Sequence, residues 1–240
     1  MSEIPNATVP TGDFEFAALN EAKNYRRALL REFSSALQGQ VLEVGAGIGQ
    51  ITGMLLQNPA IQKLASIEPD PKFCARLRAD FPAHTLIQGT IDNLPGNESW
   101  NAILSVNVLE HIKEDERELA VYRQKLAPEK GALCLFVPAR PEIYAPIDRD
   151  FGHFRRYTKL ELRQKLARAG FEILRLRYYN FAGYFGWWLN FCVLKKNGFD
   201  LSAIRFFDRF IFPPVHGLET KICPPPIGQS LLAVARAKSI

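Results

Sequence analysis

Val41-Leu42-Glu43-Val44-Gly45-Ala46-Gly47-Ile48-Gly49-Gln50 joins a short apolar run to three alternating glycines. An apolar run of this length, bounded by a turn signal, reads as a buried strand. The glycines allow a sharp turn and let a ligand come close to the backbone. A helix from Gln50 to Gln57 is expected next, so the stretch reads as strand, glycine turn and helix. Nicotinamide and flavin enzymes use such turns too. Spacing argues against a dinucleotide here, because its fingerprint asks for Gly or Ala at the sixth position from the first glycine, where this chain has Gln50. Glu43, inside the apolar run, costs free energy unless hydrogen bonds or a cationic ligand offset it.

Outward from this stretch, the chain alternates strand and helix. Ala22, Tyr25, Leu29 and Phe33 recur at helical spacing, so a helix over about 18–37 leads into the domain. Apolar runs at Val41 to Val44, Leu64 to Ile67, Thr85 to Ile87, Ala102 to Val106 and Ala132 to Val137 read as buried parallel strands separated by crossover segments. Thr158 with Glu161 forms a capping box for a helix that stops at Gly170. A sixth strand, Phe171 to Tyr178, is expected to alternate strictly, and the last strand spans Leu231 to Ala235. Between them lies an insertion rich in aromatics and prolines, with Pro213-Pro214 read as loop. The organisation expected is one domain over 1–240: a helical lead (1–38), a core (39–178), an aromatic lid-like insertion (179–228) and a final strand (229–240). The fold class is α/β, a doubly wound Rossmann-like sheet.

With 240 residues, 47% hydrophobic and 23% charged, the chain can bury one substantial core without disulfides. Its net charge of +5 favours an anionic ligand or surface, but no basic tail or long basic helix supports nucleic-acid binding. Cys74, Cys134, Cys192 and Cys223 form no CxxC pair, so they read as buried small side chains, and no metal-ligand set is assigned. Glu3, Asp13 and Glu15 contradict a signal peptide, so a cytoplasmic protein is expected, at most peripheral to a membrane. The most apolar stretch, Tyr178 to Leu194, is interrupted by Asn180 and Asn190 and is too short to span a bilayer.

Glu68 ends the second strand, 23 residues after Gly45, where such folds place the acid that holds ribose hydroxyls. Asn107-Val108-Leu109-Glu110-His111-Ile112 follows the fourth strand at the sheet's carboxyl edge, where ligands bind. Together VLEVGAGIGQIT, IEPD, GTIDNLP and VNVLEHI, in this order over roughly residues 20–175, resemble the motifs of class I S-adenosylmethionine-dependent methyltransferases. The resemblance implies a seven-stranded, mostly parallel sheet with an antiparallel last strand, and S-adenosylmethionine as cofactor. It assigns the amino-acid half of the cofactor to Glu43, Gly45, Ala46, Gly47 and Gly49, and the ribose to Glu68 with Pro69. It further implies adenine contacts from Thr90, Ile91 or Asp92, a backbone contact from Asn107, and closure by Tyr25, which reads equally well as core.

A sulfonium methyl is already a strong electrophile, so the protein mainly aligns a nucleophile and excludes water. Where the acceptor needs a base, His111 and His153 are the candidates. The segment Gly152-His153-Phe154-Arg155-Arg156-Tyr157 resembles the GHxRRY stretch of a subset of these enzymes. Arg155 and Arg156 either clamp an anionic group of the acceptor or pair with Asp148 and Asp150 to hold the loop. Tyr157, with Tyr184 and Trp188 of the insertion, completes the expected acceptor site. Aromatics interleaved with Lys195, Lys196, Arg205 and Arg209 suit an apolar acceptor or a membrane surface as well as plain packing, which puts lipid, quinone or glycolipid acceptors ahead of bulk polar ones. No Pro-Pro-aromatic or Pro-Cys motif follows the fourth strand, which disfavours DNA base methylation. The competing reading is a non-catalytic cofactor-binding protein that engages a membrane or protein partner. A nicotinamide oxidoreductase is disfavoured by Gln50.

Overall fold

The computed structural model describes residues 20–94, 96, 98–128, 130–196 and 198–238. Glu3, Asp13 and Glu15, and residues 18 and 19 of the expected lead helix, lie outside them. Each apolar run forms a strand: β1 (Gly39–Val44), β2 (Ile61–Glu68), β3 (Thr85–Gln88), β4 (Ala102–Val106), β5 (Ala132–Pro138), β6 (Phe171–Tyr179) and β7 (Ser230–Ala237). They make one sheet in the order β3-β2-β1-β4-β5-β7-β6. β1 to β5 pair in parallel, and β7 runs antiparallel to both β5 and β6.

Period-two alternation drives burial on both faces. Leu42, Val44, Ile103, Leu133 and Leu135 point to one side, where Leu119 and Tyr122 of α4 (Asp115–Lys125) and Leu162 and Leu166 of α6 (Lys159–Arg168) cover them. Val41, Ala102, Leu104, Cys134 and Phe136 point to the other, under Leu29 and Phe33 of α1 (Lys23–Phe33). Each such Leu, Val or Phe contributes about 1.5–3 kcal/mol. The helix after the glycine turn is shorter than expected, α2 (Thr52–Leu55). α3 (Pro71–Asp80) starts where Asp70 accepts from the Lys72 N–H at 2.7 Å, with Pro71 in the first turn, where its missing N–H costs nothing. At α6, Thr158 Oγ1 accepts from the Glu161 N–H at 3.1 Å, while the Glu161 carboxylate lies 3.8 Å from Lys165 Nζ.

Three further expectations are corrected. Strict alternation along β6 fails at an irregularity between Ile173 and Arg175 that leaves Leu174 48% exposed and brings Leu176 and Tyr178 to the face shared with Phe171 and Ile173. Pro213 and Pro214 are not loop residues: they open α9 (Phe212–Lys221), directly after a π-helical turn, Phe207–Ile211, that continues α8 (Leu201–Phe206). A proline removes one helical N–H and crowds the preceding turn, and a widened turn accommodates both. Of the cysteines, Cys74 and Cys134 are buried as expected, but Cys192 is half-buried and Cys223 exposed. The insertion's first helix, α7 (Phe181–Trp187), also runs into a π-helical turn, Trp188–Val193. Among the described residues no helix is long and apolar enough to cross a membrane.

Candidate functional site

The glycine turn leaves β1 through left-handed backbone at Gly45 (φ 75°), Gly47 (φ 55°) and Gly49 (φ 84°). Gly45 and Ala46 donate their N–H groups to Ile67 O at 2.9 and 3.1 Å, which ties the turn to β2. A Cβ on Gly45 would lie 2.3 Å from Val108 Cγ2, so the segment after β4 packs directly on the turn. Glu68 is buried and receives the Gly47 N–H at 2.7 Å and the Asp70 N–H at 2.9 Å. Burial raises its carboxyl above the usual range against the lowering effect of those two bonds. Glu43, also buried, accepts from the hydroxyls of Thr52 and Ser66, each at 2.6 Å. Burial pushes its carboxyl up to about 7 despite them. Among the described residues neither acid makes an ion pair.

Beside this crevice, Pro69 is exposed at the end of β2. Thr90 begins a one-turn 3-10 helix, Ile91–Asn93, and its N–H donates to Asn93 Oδ1 at 2.8 Å. The Ile91 side chain is fully buried in the core, while Asp92 is exposed and held by Arg117 at 3.0 Å. Any adenine contact from Ile91 therefore falls to its backbone.

A cavity of ≈ 190 Å³ opens at the carboxyl ends of β4, β5 and β6. Asn107, in left-handed backbone (φ 53°), lines it and adjoins the glycine turn through Val108. Phe151, Trp187, Phe199, Ile204 and Phe207 supply apolar wall, and Tyr25 and Ala22 of the lead segment close one side. His153, Arg156 and Glu110 bring polar groups to it, as do Asn180, Gln229 and Ser230.

The loop after β5 is organised by Asp148, at the centre of α5 (Pro146–Asp150). Its carboxylate accepts from His153 Nδ1 at 3.0 Å, Arg156 Nε at 2.9 Å and the Ala145 N–H at 2.8 Å. Burial would raise its pKa, but the His153 bond and the Arg156 guanidinium outweigh burial and hold it below the usual carboxylate range. Arg156 also lies 4.4 Å over the Trp187 ring. His111 meets His153 edge to face, ring centroids 4.6 Å apart. Burial, then His153, push the His111 imidazole down to about 4, so it is neutral at neutral pH. The structure thus brings Tyr25, Asn107, His153 and Arg156 to one cavity, with His111 behind its wall.

Other expected acceptor residues fall elsewhere. Arg155 turns to Asp115 at 2.8 Å and to the Lys113 carbonyl at 2.8 Å. Tyr157 is wholly buried, its hydroxyl donating to Asp115 at 2.9 Å. Trp188 is 46% exposed, and Tyr184 packs beside Arg140 without lining the cavity. The tryptophan that does line it is Trp187, whose Nε1–H donates to Ile143 O at 3.1 Å. Helical spacing could have found it, since Trp187 and Phe191 recur four apart on the buried side.

Asp208 was also missed. It receives the N–H groups of Asn24 (2.9 Å) and Tyr25 (2.8 Å), capping α1 from 183 residues away in sequence. Glu219 does the same for the start of α7, accepting from Asn180 and Phe181 at 3.2 and 2.6 Å. The only sequence signal for either was an acid inside an aromatic-rich stretch.

Residues 17–176, about two thirds of the chain, match the family model described as "Methyltransferase domain". Among solved structures, the methyltransferase in complex with the Haloferax volcanii Trm112 methyltransferase activator is similar at 16% identity and TM-score 0.63, covering 98% of this chain and 99% of that one. A Clostridium acetobutylicum S-adenosylmethionine-dependent methyltransferase is similar at 10% identity and TM-score 0.60, covering 93% and 98%. The N-methyltransferase NodS of Bradyrhizobium japonicum, in complex with S-adenosyl-L-homocysteine, is similar at 16% and 0.56, covering 90% and 86%. No curated protein matches the chain by sequence. The chain belongs to the methyltransferase-domain family, and it is a methyltransferase built on the fold of the S-adenosylmethionine-dependent enzymes.

Proposed function

We propose that this enzyme uses S-adenosylmethionine to methylate a small or amphiphilic acceptor bound in the aromatic-walled cavity. One observation carries the reading: a glycine turn flanked by two buried acids that make no ion pair among the described residues, Glu43 and Glu68, adjoins that cavity through Asn107 and Val108. Acids so placed fit a ligand that carries positive charge and ribose hydroxyls. S-adenosylmethionine supplies the electrophilic methyl group when bound.

The chain's own residues then do three things. Glu68 holds the turn through Gly47 and offers its carboxylate to the ribose, while Gly45, Ala46, Gly47 and Gly49 let the ligand approach the backbone. Thr90, Ile91, Asp92 and Pro69 border the adenine end. His153, oriented by Asp148 through Nδ1 and backed by His111 packed edge to face against its ring, takes the proton of the acceptor's reacting atom where one must leave. Trp187, Phe199 and Phe207 exclude water.

An amphiphilic acceptor, lipid-linked, quinone or glycolipid, is supported by the outer face of the insertion. Phe181, Phe185, Trp188 and Leu189 on the first helix and its π-helical turn, and Phe206, Phe210, Leu218 and Ile222 along and just after the second, are each 36% exposed or more. Lys195, Lys196, Arg205, Arg209 and Lys221 are exposed on the same segment, the composition of a helix pair that rests on an anionic membrane.

Calorimetry with S-adenosylmethionine and S-adenosylhomocysteine, against NAD and NADP, tests the cofactor. Binding of the sulfur cofactors alone is expected, and no binding by folded protein overturns the reading. Sedimentation with phosphatidylglycerol vesicles tests the outer face: co-sedimentation that falls with salt is expected, and a protein left in the supernatant overturns the membrane contact.

A further inference from the structure

The wall between the cavity and the segment after β4 holds a group of side chains whose chemistry exceeds proton transfer. Glu110, His111 and His153 each offer one ligand atom, and the three atoms lie within 4.8 Å of one another. His153 Nε2 is 4.0 Å from Glu110 Oε1, and the two imidazoles meet edge to face. We propose that these three residues form a divalent-cation site whose open coordination positions face the cavity and bind an oxygen of the acceptor. The proposal rests on the methyltransferase reading above for its acceptor. It makes the histidines ligands, with the cation taking over their work on the acceptor.

The residue types, the burial and the surrounding hydrogen bonds all bear on this. Two imidazoles and one carboxylate suit zinc, cobalt, iron or manganese, whereas calcium and magnesium prefer all-oxygen sets. Ligand atoms around such an ion at about 2.1 Å stand roughly 3.4 Å apart in a tetrahedral site, so side-chain rotations that move each ligand atom by under about 1 Å close the present spacing. His153 is oriented as metal-binding histidines are: its Nδ1 is hydrogen-bonded to Asp148 at 3.0 Å, which turns Nε2 toward Glu110. Asp148 is itself fixed by Arg156 and the Ala145 N–H, and these partners bring no acid of their own to the ligand cluster. The Phe154 N–H donates to Glu110 O at 2.8 Å, so the backbone joins the two loops that carry the ligands. Glu110 and His153 line the cavity, so a fourth position on the ion opens toward it. Three protein ligands and an open position are the pattern of a catalytic metal, not a structural one. An acceptor hydroxyl or carboxylate on that position would be held near Asn107, and a hydroxyl there would lose its proton more readily.

The test is a titration of chelator-treated full-length protein with Co²⁺, followed by visible d–d absorption, calorimetry and thermal melting. One equivalent should bind, develop d–d bands and raise the melting temperature. His111→Gln, at a half-buried position, and Glu110→Gln should each weaken Co²⁺ binding about 10- to 100-fold. His111→Gln should leave the S-adenosylmethionine affinity of the same preparation unchanged. No bands, heat or melting shift at millimolar Co²⁺, Zn²⁺ or Mn²⁺ would overturn the site and leave the histidines as bases. Binding that His111→Gln and Glu110→Gln both leave intact would also overturn it, since the ion then sits elsewhere. Failures of the two readings are distinguishable: cofactor binding without cation binding overturns only this site, and cation binding without cofactor binding overturns the cofactor reading.

Discussion

The crevice after β1 and the chamber over β4 to β6 share one sheet edge but are held by different contacts. The crevice is made from short-range sequence: Gly45, Gly47 and Gly49 belong to one decapeptide, and the acids that brace it, Glu43 and Glu68, stand on adjacent strands paired in register. The chamber is made from distant pieces. Asp208 caps α1, Glu219 caps α7, and Asp148 joins His153 to Arg156 under Trp187. A part of a site that depends on backbone conformation is written locally, whereas one that depends on which side chain reaches across a gap is not.

Substitutions can break that contrast, beginning with the largest effect. Gly45→Ala forces a side chain into left-handed backbone and against Val108 at 2.3 Å, so about 3–4 kcal/mol of stability should go, read by urea unfolding, with cofactor binding lost alongside. Retained stability would mean that the turn relaxes and the crevice is not so locally determined. Glu68→Ala should next weaken S-adenosylmethionine about 100-fold by calorimetry, near 3 kcal/mol, by removing the proposed ribose acceptor and the Gly47 brace together.

Glu43 sharpens the comparison through pH. Its folded-state pKa, about 7, lies above the ordinary 4.5, so the folded protein keeps a proton that the unfolded chain releases. Its contribution is therefore most favourable below about pH 4.5, declines as pH rises toward 7 and is fully unfavourable above that. Glu43→Gln removes this dependence, and its stability relative to wild type should improve by about 2 kcal/mol between pH 5 and pH 8. A flat difference across that range would show that the acid is ionised when folded. The smallest effect falls in the chamber. Asp208→Ala should cost about 1 kcal/mol of stability, raise KM for the acceptor and leave cofactor affinity unchanged. A matching loss of cofactor affinity would show the two regions to be one mechanical unit.

All seven strands were legible, because each must present apolar residues to a covered face, and residues such as Leu104 and Phe136 have no alternative to burial. Legibility failed where local pattern and tertiary demand diverge. The β6 irregularity at Leu174 reverses the alternation, and nothing in Phe171-Glu172-Ile173-Leu174-Arg175 marks it. Pro213-Pro214 carries a loop signal that the π-helical turn before it overrides. Of the two adjacent tryptophans, Trp187 turns inward onto Arg156 and Trp188 outward, a choice made by helix rotation against the loop after β5. Arg155 and Arg156 divide the same way, between Asp115 on α4 and Asp148 on α5.

By itself the sequence determined the sheet, the glycine turn and the place of Glu43 and Glu68, since alternation and left-handed glycine backbone are properties of a few consecutive residues. Only the tertiary structure decided that Asp208 closes the lead helix, that Trp187 and not Trp188 walls the cavity, and that Glu110, His111 and His153 converge. Those outcomes depend on pairing across long loops, where the competing arrangements are equally compatible with local pattern and the packed core selects among them.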